Sequence, residues 1–270
     1  MNTLSLHSRK PLRSGRRMPL LGLGTWQLTD HTSEAIAHAL KLGYPMIDTS
    51  GDYGTQPDIG RALRDAGTVR ESIYLVTKVE ETDDAYEATR KNLAELMIDY
   101  ADLMLVHRPP DEGVGAELWR GLIRARNEGL VRDIGVSNYS VEQIHALALA
   151  TGEMPAVNQI EWSPFGYGPH MRKYCHENQI VIQAYSPLTR TERLDDPALT
   201  KIAEHYRKTP AQILLRWNLQ HGVVPLPKAN RKEHLEENID VFDFRIDVQD
   251  MANLDGLNEQ YSSLGTLPYD

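Results

Sequence analysis

The sequence predicts an α/β protein in which eight βα units close into a single (β/α)8 barrel over residues 1–270. Three observations carry that prediction. Short apolar runs alternate with helix-like stretches along the whole chain. The runs are continuous rather than alternating in polarity, as strands of a parallel sheet covered on both faces must be. Residues able to do proton chemistry close or follow several of the runs, notably Asp48, Tyr53, Lys78 and His107, at the strand ends where such barrels place their sites.

The elements follow in order. Strands are expected near 20–25, 44–48, 73–78, 101–106, 131–136, 155–160, 180–184 and 222–227. Helices are expected near 33–42, 56–66, 83–97, 114–127, 140–150, 168–178, 209–220 and 231–239. Leu93, Leu96 and Met97 show helical 3/4 spacing, as do Ile213, Leu214 and Trp217. Thr209-Pro210 reads as an N-cap followed by proline in the first turn. Two stretches lie outside the alternation, 188–207 (with Asp195-Asp196-Pro197) and 247–256, and each is expected to form an extra helix. The basic leader (Arg9, Lys10, Arg13, Arg16, Arg17) is read as a hairpin over the barrel floor. A twin-arginine signal or transit peptide fits it less well, because the following 19–26 run is short and ends in polar residues. The tail, 261–270, is expected to fold over the barrel mouth.

Composition narrows the function. A net charge of −9, from 29 basic and 38 acidic side chains, disfavours nucleic acid and anionic membrane as partners. No apolar run approaches the ~20 residues of a membrane helix. The one cysteine, Cys175, has no internal disulfide partner, which suits a reducing compartment. A cytoplasmic monomer acting on a small molecule, without a metal, is the expectation.

The quartet suggests the chemistry. Tyr53 carries a phenol whose reference pKa of about 10 makes it a poor acid at neutral pH. A neighbouring Lys78 ammonium would favour the phenolate, and lowering the pKa by ~2 units takes ~2.7 kcal/mol. Asp48 would keep Lys78 charged in a desolvated site. His107 could donate a hydrogen bond to a carbonyl oxygen. Together they suit protonation of that oxygen as charge develops on it.

These residues, with Gly22-Leu23-Gly24-Thr25-Trp26, Thr77-Lys78, Leu105-Val106-His107-Arg108-Pro109, Gly135-Val136-Ser137-Asn138, Asn158-Gln159, Tyr185-Ser186-Pro187-Leu188 and Pro227-Lys228, closely resemble the aldo-keto reductases. That family consists of NAD(P)H-dependent carbonyl reductases on a TIM barrel, and the resemblance covers nearly the whole chain. It implies Tyr53 as general acid, Lys78 as the group that depresses its pKa, Asp48 as the holder of Lys78, and His107 as the residue orienting the carbonyl. It implies that Ser137, Asn138 and Gln159 meet the nicotinamide carboxamide and that Tyr185 stacks on the ring. Ser186 and Leu188 would follow the pyrophosphate, and Thr25 would join the cofactor set. Lys228, Asn230, Arg231, His234, Glu237 and Asn238 would meet the adenosine end, with Trp26 and Arg108 lining the substrate pocket. Gly22-x-Gly24 is no dinucleotide loop, since the third glycine is absent and Gln27 stands there.

Three positions depart from the family pattern. Ala229 stands where a serine is frequent, His234 where an arginine is common, and Arg108 where an aromatic often walls the pocket. The first two weaken contacts that favour NADPH in the family, but Lys228 and Arg231 remain, so NADPH is the expected cofactor, with measurable use of NADH. Arg108 is expected to face solvent or an ion-pair partner rather than clamp a substrate carboxylate. The short 109–115 loop and short tail suggest an open pocket tolerant of small aldehydes, ketones and dicarbonyls, with keto acids and sugars as further candidates. Two competing classes are a Schiff-base aldolase using Lys78 or Lys228 and a non-catalytic NADPH-binding module. A short-chain dehydrogenase is disfavoured because its Tyr-x-x-x-Lys spacing falls here only at Tyr74–Lys78, on a predicted strand.

Overall fold

A computed structural model describes residues 4–28, 31–267 and 269. Pro268 and Asp270 of the expected tail lie outside the described residues. A two-stranded antiparallel hairpin, β1 (Arg9–Pro11) and β2 (Arg17–Pro19), precedes the main sheet. Eight parallel strands follow: β3 (Leu23–Gly24), β4 (Met46–Asp48), β5 (Tyr74–Val79), β6 (Ala101–Val106), β7 (Val131–Ser137), β8 (Val157–Glu161), β9 (Val181–Tyr185) and β10 (Val224–Pro225). They pair in chain order, and the ring closes where Gly22 N–H donates to Pro225 O (3.2 Å) and Gly24 N–H to Pro227 O (3.1 Å). The fold is the expected (β/α)8 barrel, with the hairpin and both extra helices.

The closing seam is narrower than the apolar runs suggested. The 20–25 and 222–227 runs yield ladder strands only at Leu23–Gly24 and Val224–Pro225. Pro225 and Pro227 have no N–H, so they accept across the seam but cannot donate back. Gly24 is required there for space: a Cβ on it would lie 2.8 Å from Leu226 O.

The helices are α1 (Thr32–Lys41), α2 (Gln56–Asp65), α3 (Ala85–Leu96), α4 (Ala116–Asn127), α5 (Val141–Thr151), α6 (Pro169–Glu177), α7 (Pro197–Tyr206), α8 (Pro210–Gln220), α9 (Lys232–Ile239) and α10 (Val248–Asp255). Their starts follow local chemistry. Asp84 caps α3, Asp196 caps α7 and Asp247 caps α10, each through a carboxylate accepting first-turn N–H groups. Ser140 with Gln143, and Thr209 with Gln212, form capping boxes on α5 and α8. The two extra helices are α7 and α10.

Buried side chains divide by the sheet. One cluster joins Met46, Tyr74, Val76, Leu103, Leu105, Val157, Val181, Val224 and Leu226 with Leu12 and Met18 from the hairpin segment. The hairpin thus closes the barrel floor with apolar side chains, and Gln183 Nε2 reaches the Met18 sulfur at 3.2 Å. Larger clusters fill the layer between strands and helices. A sealed floor leaves the opposite mouth as the accessible end.

Candidate active site

Strand register brings the expected quartet together. Asp48 ends β4, Lys78 lies near the end of β5, and His107 follows β6. Tyr53 sits in the loop before α2, its backbone N–H donating to Ser50 O at 3.3 Å. Lys78 is 1 % exposed, so its charge must be met inside the protein. Its Nζ donates to Asp48 Oδ1 at 2.8 Å and to Thr49 O at 2.7 Å. The same Nζ lies 4.9 Å from the centre of the Tyr53 ring, and His107 meets that ring edge-on with centroids 5.7 Å apart.

A polar scaffold fixes the pair. Gln159 Nε2 donates to the other Asp48 oxygen at 2.8 Å and to Gln183 Oε1 at 3.0 Å. Asn92 Nδ2 donates to Lys78 O, and Gln56 ties Asn92 to Thr77. Thr25 Oγ1 donates to Asp48 O at 2.9 Å, holding β3 beside β4. Each of these scaffold side chains therefore has a partner that limits its rotamers.

The electrostatics are directional. Burial works against the Lys78 charge, but Asp48 and Tyr53 outweigh it, so the ammonium is held above its ordinary range. For Tyr53, burial pushes the phenol up, Lys78 pulls it down, and Asp48 and Asp52 push it up again. The net direction is upward. Lys78 lowers the phenol as expected, but it offsets only part of the desolvation cost. Tyr53 is thus held neutral, with its proton on.

Above the quartet lies a cleft of about 790 Å³. Its wall includes Gly24, Thr25 and Trp26 on one side, and Ser137, Asn138, Gln159 and Tyr185 deeper in. Ser186, Leu188 and Lys228 extend it along the mouth, and Arg108 and Pro109 border it beside His107. Asn138 sits in a left-handed conformation (φ 64°), which turns its amide toward His107 O (3.0 Å) and Ser137 Oγ (3.1 Å) while it accepts from Tyr185 OH (2.9 Å). Trp26 is 39 % exposed and faces the Arg190 guanidinium at 5.2 Å.

Of the adenosine-end candidates, Lys228 lines the cleft and the others lie beyond it. Lys228, Asn230, Arg231 and His234 are exposed, and neither Lys228 nor Arg231 joins an ion pair among the described residues. Asn238 is buried with its side-chain nitrogen lacking a partner. Glu237 instead accepts a hydrogen bond from the Thr209 hydroxyl that caps α8. Arg108 is about half exposed and 3.7 Å from Glu81, in line with the ion-pair reading.

Several neighbours were not among the sequence candidates. Glu80 and Asp52 flank His107, with Nδ1 at 2.9 Å from Glu80 Oε1 and 3.7 Å from Asp52 Oδ1. Glu80 was findable, since the strand period of two puts it on the face of Lys78. Those three side chains could bring one ligand atom each within 4.8 Å. The tail does cover the mouth: Ser262 Oγ (2.6 Å), Ser263 N (2.7 Å) and Ser263 Oγ (2.5 Å) donate to the buried Glu161 carboxylate. Tyr269 OH donates to Glu161 O at 2.6 Å, and Leu264 and Thr266 line the cleft. From Ser186 to Thr191 the backbone turns left-handed at four non-glycine residues: Ser186, Thr189, Arg190 and Thr191. Such conformations cost free energy for β-branched residues, and nothing in residue type announced them.

Comparison with known proteins agrees with this geometry. The sequence profile of the Aldo/keto reductase family matches residues 20–259. An aldo-keto reductase of Mycobacterium tuberculosis strain H37Rv is 42 % identical over 254 residues, covering 92 % of this chain and 90 % of that one. Glyoxal reductase of Bacillus subtilis is 37 % identical over 261 residues, covering 94 % of each. The crystal structure of a Bombyx mori aldo-keto reductase in complex with NADP superposes with a TM-score of 0.90 at 30 % identity, over 96 % of this chain and 95 % of that one. By sequence and by shape, the chain is an oxidoreductase that belongs to the aldo/keto reductase family.

Proposed function

We propose that the protein reduces small aldehydes, ketones and dicarbonyls to alcohols with NADPH, using Tyr53 as the proton donor. The carrying observation is the buried Asp48–Lys78 pair beneath the Tyr53 ring, beside His107 and at the base of an open cleft. The residues present fit a dinucleotide. The cleft runs from the quartet to Lys228, the buried Asn238 nitrogen has no other partner, and Lys228 and Arg231 are unpaired cations among the described residues. Ser137, Asn138 and Gln159 would hold the carboxamide, Tyr185 the ring face, Thr25, Ser186 and Leu188 the pyrophosphate, and Lys228, Asn230, Arg231, His234, Glu237 and Asn238 the adenosine end. When bound, the cofactor supplies hydride to the carbonyl carbon.

The chain's own residues do the rest. Tyr53, kept neutral by burial, releases its proton to the carbonyl oxygen as negative charge grows there. Lys78 stabilises the phenolate that remains, and Asp48 keeps Lys78 charged throughout. A raised Lys78 also opposes nucleophilic use of its amine, which weakens the Schiff-base alternative. Trp26, Arg108 and the tail residue Leu264 border the substrate end. The similarity to a glyoxal reductase supports dicarbonyls within the substrate range.

The test is NADPH oxidation against a panel of aldehydes, ketones, dicarbonyls, keto acids and sugars. Tyr53→Phe should cut kcat by about 10³-fold or more and leave NADPH Kd within a few-fold. A variant that keeps most of its turnover would remove Tyr53 from the role of acid.

A further inference from the structure

His107 is enclosed on its Nδ1 side by carboxylates. Nδ1 lies 2.9 Å from both oxygens of Glu80 and 3.7 Å from Asp52 Oδ1. Glu80 is anchored in turn by the Ser50 hydroxyl at 3.0 Å. Burial pushes the Glu80 carboxyl up, but the hydrogen bonds from His107 and Ser50 and the nearby Arg108 charge outweigh this and hold it below the usual carboxylate range. At neutral pH it is therefore ionised, and an ionised carboxylate only accepts. Facing two such oxygens, Nδ1 must carry a proton.

A neutral imidazole has one N–H. With that proton spent on Glu80, the opposite nitrogen, Nε2, is a bare acceptor. It can donate to a carbonyl oxygen only when the ring holds a second proton and a positive charge. We infer that Glu80 is a positioning residue that fixes the His107 proton on Nδ1, so that His107 assists carbonyl reduction only in its doubly protonated form. This rests on the carbonyl-reductase reading above. A charged donor polarises a carbonyl about twice as strongly as a neutral one.

The groups facing the ring are consistent with that role. The loop after β4 brings Asp52 and the Tyr53 ring edge, and Lys78 reaches the cluster through Tyr53. Glu80 directly follows β5, and Arg108, next to His107 in the chain, lies 3.7 Å from Glu81 while its charge also acts on Glu80. From the end of β7, the Asn138 amide donates to the His107 carbonyl and so fixes the backbone that carries the ring. Replacing Glu80 by glutamine changes one property decisively. A carboxamide can turn its NH2 toward Nδ1, which permits the tautomer with the proton on Nε2 and gives a donor without a second proton on the ring.

The experiment has two readouts on the full chain, both in the presence of a chelator. In the first, ¹⁵N-histidine spectra are recorded at pH about 8.5, well above the reference imidazole value, with His107 assigned by loss of its signals in His107→Gln. The wild type should show the Nδ1–H tautomer and Glu80→Gln the Nε2–H tautomer. In the second, kcat/KM for reduction of a small dicarbonyl is followed from pH about 6 to about 9, spanning that same reference value. The wild type should fall by about tenfold or more, Glu80→Gln should vary by only about threefold, and Glu80→Asp should restore the wild-type slope. The change should lie in kcat, with NADPH Kd unaltered. An Nε2–H tautomer in the wild type, or parallel pH profiles in wild type and Glu80→Gln, would overturn the inference. So would a difference between them that appears only when zinc replaces the chelator, since the cluster would then be a cation site. If the wild type reduces no carbonyl at any pH, the proposed function fails, and the tautomer spectra alone decide the Glu80 assignment.

Discussion

Lys78 carries the greatest structural and chemical weight of any single residue in the site. It is fully enclosed, and its ammonium is the only cation paired with Asp48 among the described residues. Lys78→Met would leave Asp48 buried without its counter-charge, a change that typically costs 3–5 kcal/mol, roughly. The variant should lose carbonyl reduction and also melt well below wild type by calorimetry. A full loss of activity with unchanged melting would show that the pair matters to chemistry alone. Arg108 should behave more mildly. Because it is half exposed and already near Glu81, Arg108→Ala should raise KM for carboxylate-bearing substrates by about tenfold, the lower end of a charge-assisted contact, and spare neutral aldehydes. Equal effects on both substrate types would leave Arg108 as a surface ion-pair member only. Glu80 adds a pH signature to stability. Its carboxyl is depressed in the folded protein, so its contribution is present above the unfolded value near 4.3 and is lost as pH falls through the lower folded value.

At the scale of elements, helix starts and the strap over the mouth carry different risks. Thr209 was recognisable as a cap from Thr-Pro, and the structure gives it a second task, because its hydroxyl also donates to Glu237 on α9. Thr209→Ala should therefore cost about 1–2 kcal/mol, the upper part of the range for a lost cap, measured as a lower denaturant midpoint at unchanged m-value. A loss under about half a kcal/mol would mean that water replaces the cap fully. The 186–191 segment shows the opposite relation of sequence to structure. Its left-handed residues are held by turn hydrogen bonds, Thr189 N–H to Ser186 O (2.9 Å) and Thr191 N–H to Leu188 O (2.8 Å), so the surrounding fold sustains the strain.

For the molecule as a whole, cofactor binding should be visible as stability. A ligand that binds only the folded barrel stabilises it by about 2.7 kcal/mol at a hundred times its Kd. NADPH should raise the melting temperature more than NADH at equal concentration, since Lys228 and Arg231 join no ion pair among the described residues and are available to a 2′-phosphate. His234→Arg should widen the NADPH preference by about five-fold or more in Kd, because a guanidinium offers a permanent planar charge. Equal shifts by the two nucleotides, in wild type and variant alike, would place the adenosine end elsewhere.

The sequence by itself determined the strand and helix order, the hairpin, both extra helices, and the polar residues that meet at the mouth. Those features follow from local periodicity, capping chemistry and the rule that barrel strands carry sites at their carboxyl ends. Tertiary structure alone decided how those groups are wired. Gln159 reaches Asp48, Glu80 clamps His107, and the Ser262–Ser263 tail reaches Glu161. These partners are distant in sequence or unremarkable by type. The same holds for the sign of the Tyr53 shift. Opposed charges could be named from the chain, but the burial that outweighs Lys78 is a sum over every element packed around the phenol.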